Sequence, residues 1–227
     1  HRIGLEERTA FKLLGYALHH EPDLKSEWDH RCAELWDGVE KGAVSVIRAK
    51  DITIVEDDFR KLLPMHPYAA YLLRIIAKDI SSNERTIFKF LSEDVSDEKY
   101  PNFKWFIEHI SFEYGKWNYL TADYLWDYFF NSNNVDLDSN FTTTISHYNN
   151  FASMCLNDNQ RKVLKVTLLL AALQAQNTAD SRSGPTSLMR PTLVNVKACF
   201  AGTPIEASVE DALNYFDSKG IMGKVEA

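Results

Sequence analysis

Cysteine is scarce and scattered in this chain. Cys32, Cys155 and Cys199 are the only three, no CxxC pair exists, and an odd count makes a poor disulfide framework. That argues against a disulfide-stapled secreted scaffold and for a reduced, cytoplasmic setting. Glycine and proline are few as well, at 9 and 7 of 227 residues, which argues against an all-β protein full of tight turns. No apolar run approaches the roughly 20 residues of a membrane span. The longest, Val166 to Ala175, is interrupted by Thr167 and Gln174, and the charged stretch His1 to Ala10 does not read as a signal peptide. No membrane partner is expected. The net charge of −7 gives no overall field for nucleic acid or anionic lipid. The phosphate-cradling patterns GxxxxGK[ST] and GxGxxG are absent, so no glycine-rich nest for a nucleotide is built here.

What is present is apolar and aromatic. Hydrophobic residues make up 45% of the chain and aromatics 12%, enough for a sizeable core. Apolar positions recur at helical spacing in Leu5–His19, Glu27–Val39, Tyr68–Ile80, Glu84–Leu91, Phe103–Phe112, Ala122–Phe130, Phe141–Cys155 and Gln160–Gln176. Gly42 should end the second of these. Ser82 or Asn83, Thr121, and Asn157 or Asp158 stand where N-caps are expected. The β-branched run Ile52–Val55 reads as a short strand. Asn177–Leu188 reads as a loop, and Arg190-Pro191 as the opening of a helix to about Phe200. Ser208 should cap a last helix, Val209–Lys219, with Gly220 closing it and a strand starting near Gly223. Helix, helix, helix and strand is the order of a winged helix. The expected fold is therefore mainly α, a multi-helix lid-like bundle followed by a winged-helix-like three-helix module. The divisions are an N-terminal helical segment 1–61, a lid-like domain 62–156 and a truncated winged-helix-like domain 157–227. Both ends read as cut from a longer protein.

No set of residues forms a complete catalytic site. Arg60 and His66 have the R-x5-H spacing of the helical RNases called HEPN domains, but Pro64 and Pro67 break the single helix face that chemistry needs. His19, His20, His30 and Cys32 match no zinc spacing. Asn134, Asp136, Asp138 and Asn140 alternate like a calcium loop but lack its glycine and its final glutamate. Asn140-Phe141-Thr142 is a formal glycosylation sequon without meaning in an intracellular protein. No nucleophile-elbow signature accompanies the serines, and the aromatics of 105–130 lie at core spacing. No metal site is expected.

One stretch does carry a resemblance. Leu63-Pro64-Met65-His66-Pro67, an apolar helix, and then Asn83-Glu84-Arg85-Thr86-Ile87-Phe88-Lys89-Phe90-Leu91 resembles a pattern in large prokaryotic P-loop ATPases of the AAA+ or STAND type. Many of these lie in phage-defence islands, including BREX-like systems. There the run looks like "LHP", an apolar helix and "QNERTLFSFL"; this chain has Met65 for Leu and Ser82 for Gln. The resemblance spans roughly residues 62–91. It implies a P-loop core before His1, a helical lid and a winged helix after it. It also implies that Asn83, Glu84 and Arg85 face the nucleotide or a neighbouring subunit, beside the motif residues Pro64, His66 and Pro67. ATP and Mg would then be bound by the parent protein and not by this chain alone. Its partners would be the rest of the ATPase chain and a protein docked on the winged helix. DNA is a weaker candidate, because Glu206, Glu210, Asp211 and Asp217 outnumber Lys219 on the last helix and oppose phosphate contacts. The alternative is a stand-alone winged-helix DNA-binding or adaptor module.

Overall fold

The computed structural model describes residues 25–79, 84–94, 100–110, 118–130, 139–176 and 185–223. Over these the protein is mainly helical, and no strand forms among them. The first element, α1 (Lys25–Val39), does not stop at Gly42. It runs through a π-helical turn, Glu40–Val44, into α2 (Ser45–Lys50). Gly42 is used for close approach instead: a Cβ there would lie 2.6 Å from that of Ala201. Ser45 closes the wide turn, its hydroxyl donating to the Glu40 carbonyl at 3.0 Å.

The expected strand at Ile52–Val55 is absent. Asp51 captures the backbone instead, its carboxylate accepting from the amide of Thr53 at 3.1 Å and from its hydroxyl at 2.6 Å. An aspartate bonded two residues ahead makes a turn, which overrides β-branched propensity. The short α3 (Glu56–Arg60) follows, then the turn that carries Leu63–Pro67.

Helix α4 (Pro67–Asp79) starts at Pro67 itself. Proline has no amide to leave unpaired in a first turn, and His66 serves as the residue before it, its carbonyl accepting from Ala70 at 2.9 Å. Tyr68, Ala69, Ala70, Tyr71, Leu72, Leu73 and Ile76 of α4 are all buried. A helix apolar on nearly every side must lie inside, and α4 packs on the π-turn, on α7 (Ala122–Phe130) and on α10 (Leu193–Cys199).

Between α4 and α7 stand α5 (Glu84–Ser92) and α6 (Phe103–His109), shorter than the pattern to Phe112. Asn102 joins them. Its side chain accepts from the amide of Trp105 at 2.9 Å and donates to the carbonyls of Lys89 at 3.1 Å and Glu93 at 2.7 Å. One buried residue thus caps the start of α6 and the end of α5. Ile87 and Phe90 bury the inner side of α5, with Phe90 against Tyr128 and Phe129 at 5.0 and 5.4 Å between ring centroids.

Helix α8 (Ser139–Phe151) runs into a 3₁₀ turn, and α9 (Asp158–Gln176) begins as the capping residues indicate. Asn157 accepts from the Gln160 backbone amide at 2.9 Å, and the Gln160 side-chain oxygen accepts from the Leu156 backbone amide at 2.8 Å. Helix α9 packs on α7, α8, α10 and α11 (Val209–Ser218). Burial of Val163, Leu164, Val166, Leu169, Leu170 and Leu173, at roughly 1.5–3 kcal/mol each, makes it a central strut.

Two capping expectations fail. Helix α10 opens with Thr192 as its cap, accepting from the Asn195 amide at 3.2 Å, so Pro191 lies outside the first turn. Ser208 does not cap α11; its hydroxyl donates back to the Ile205 carbonyl at 2.9 Å, because a 3₁₀ turn already leads in. The other end of α11 follows expectation. Gly220 takes φ of 65°, its amide bonds Asp217 at 3.1 Å, and the Ile221 amide bonds Phe216 at 2.9 Å. That pairing, with Phe216 and Ile221 both buried, is a Schellman closure. Residues 224–227, where a strand was expected, lie outside the described residues, as does the helix expected at Leu5–His19.

Candidate functional site: the 63–67 hub and the start of α5

The two runs Leu63–Pro67 and Asn83–Leu91 have different structural settings. The first, Leu63–Pro67, is a junction at the centre of the molecule. Its Leu63–Pro64 peptide is cis, and Pro64, Met65, His66 and Pro67 are all buried. The Pro64 carbonyl accepts from the Leu120 amide at 3.1 Å, and the His66 amide donates to the Leu120 carbonyl at 3.0 Å. Met65 and Leu120 thereby form an isolated parallel bridge.

His66 binds on both ring nitrogens. Nδ1 accepts from the Tyr68 amide at 3.2 Å, so Nε2 carries the proton and donates to the Ala201 carbonyl at 3.0 Å. The ring is wholly buried, and that desolvation pushes its pKa down to about 4, against the opposing pull of the Ala201 carbonyl. His66 is therefore neutral near pH 7. Its ring meets Tyr119 edge-on at 5.6 Å, and the Tyr119 hydroxyl donates to the Leu35 carbonyl at 2.6 Å. The hub thus ties α1, the 118–121 segment and the turn after α10 to the start of α4. That turn needs glycine: Gly202 has φ of 73°, and a Cβ on it would sit 2.6 Å from the Gly38 carbonyl oxygen.

Two tyrosines extend the junction along α4. The Tyr68 hydroxyl donates to the Leu188 carbonyl at 2.7 Å, and that of Tyr71 to the Pro185 carbonyl at 3.3 Å. Both phenols are pushed above their ordinary value, chiefly by burial. Nearby, Arg74 donates to the Asp51 carboxylate at 3.0 Å and lies over the Tyr71 ring at 4.9 Å. Burial raises the pKa of Asp51, but bonds from Thr53 and Arg74 outweigh it and hold the carboxyl below its usual range. Neither Tyr68, Tyr71 and Arg74 nor Asp51 stood out in the sequence. The one available signal was the Asp51-x-Thr53 spacing of an aspartate turn, hidden in the β-branched run.

The second run starts a helix. Glu84 and Arg85 occupy the first turn of α5; their side chains, and Asn83 altogether, lie outside the described residues. Arg60 and His66 do not share a helix face. Arg60 ends α3 with its guanidinium 4.0 Å over the Trp36 ring, and His66 is sealed in the hub. His30 lies 3.6 Å from Glu34, and Cys32 is pushed up to about 11 by burial and by Asp29. His19, His20 and residues 131–138 lie outside the described residues, and among the described residues no three metal-ligating side chains gather. Among the described residues, too, no helix is long and apolar enough to cross a membrane. No family model, curated protein or solved structure matches this chain.

Proposed function

We propose that this chain is a non-catalytic regulatory part of a large cytoplasmic P-loop ATPase of BREX-like anti-phage defence, coupling nucleotide state to a partner. The observation that carries this reading is the division of labour within the ATPase-like pattern. Pro64 and His66 are consumed by internal bonding and Pro67 is buried at the start of α4, while Glu84 and Arg85 open a helix anchored by Ile87 and Phe90. A helix start favours phosphate, and an arginine there brings a permanent planar cation. Asn83, Glu84 and Arg85 would then read the nucleotide held, with Mg, by the parent's P-loop core or by a neighbouring subunit. On this reading α9, α10 and α11 would form the three-helix part of a winged helix. The outer side of α11 exposes Glu210, Asp211 and Asp217, which favours a protein partner over DNA.

The test uses the parent protein. An antibody to this chain should detect a band far above 26.1 kDa in source cells. A band at that mass would refute the ATPase reading in favour of an adaptor or DNA-binding module. In the full-length protein, Arg85→Ala should lower ATP hydrolysis by about 10³-fold if it acts as an arginine finger; unchanged hydrolysis would remove the nucleotide-sensing role.

A further inference from the structure

We draw no further inference here: the strongest candidate, the exposed apolar turn of Ile52 and Val55 beside the concavity lined by Arg48, Glu56, Asp57 and Arg60, carries nothing, because the charges of that lining sum to zero and nothing in the structure shows what covers the turn.

Discussion

Replacing His66 with glutamine should change the pH dependence of stability more tellingly than stability itself. Glutamine can still donate to Ala201 and accept from Tyr68, so the cost near pH 7 should be modest, about 1–3 kcal/mol for imperfect bonds in a buried site. The informative quantity is the slope. Folding lowers the histidine pKa from 6.5 to about 4, so between those values the unfolded chain binds a proton that the folded chain refuses. Stability linked to a lowered base is fully present above 6.5 and is lost as pH falls toward 4. The ring is wholly buried, so solvent screening takes little from the effect, and the full loss is about 3 kcal/mol. Urea midpoints followed by circular dichroism, from pH 7.5 down to 4.5, give the curve for wild type and for His66→Gln. Every other residue is the same in both proteins, so its contribution cancels in the difference. The wild-type advantage should fall by about 2.5 kcal/mol by pH 4.5, and so reverse in sign where it began smaller than that. Parallel curves would refute a neutral, doubly bonded His66 at the hub.

Asp51→Ala should cost about 3–5 kcal/mol by stranding Arg74 and Thr53, read as a shift in the urea midpoint. Because its carboxyl is held below the ordinary 3.8, the Asp51 contribution is present above that value and lost only in stronger acid, apart from the His66 window. Gly202→Ala should destabilise by more than about 3 kcal/mol, combining positive φ with a clash. Gly220→Ala, with nothing within 4 Å of the new Cβ, should cost only about 1–2 kcal/mol for left-handed backbone. Similar thermal shifts for the two would contradict the close approach at Gly38. Asn102→Ala should cost about 2–4 kcal/mol, and Asn102→Asp should recover little of it. The aspartate keeps the α6 cap but turns a carboxylate toward the carbonyls of Lys89 and Glu93. Full recovery by Asp would show that capping alone matters.

What was legible in the sequence was local. Helices α4, α5, α7 and α9 follow from apolar spacing, and the Gly220 closure and the Asn157 cap follow from residues that bond within a few positions of themselves. The departures from local pattern share one cause. At Ile52–Val55 a propensity for strand lost to one carboxylate. At Gly42 an apparent helix stop was a site of close approach to Ala201, distant in sequence by most of the chain. At Ser208 a good capping residue found its helix already wound. Each outcome was decided by a partner or a turn that periodicity does not encode.

The same distinction divides the candidate site. The 63–67 run was legible as punctuation, a proline-bounded connector, but its purpose lies in residues far along the chain: Leu120 for its backbone and Ala201 for its imidazole. A pattern of this kind can recur between proteins because the junction must be built, with no chemistry attached to it. That is why the functional reading must rest on the residues left over once the fold has been satisfied. His66 is used up twice, by Tyr68 and by Ala201. Arg60 is spread on the Trp36 ring, and the buried Asp51, held by Thr53 and Arg74, fixes the turn that carries the 92% exposed Ile52.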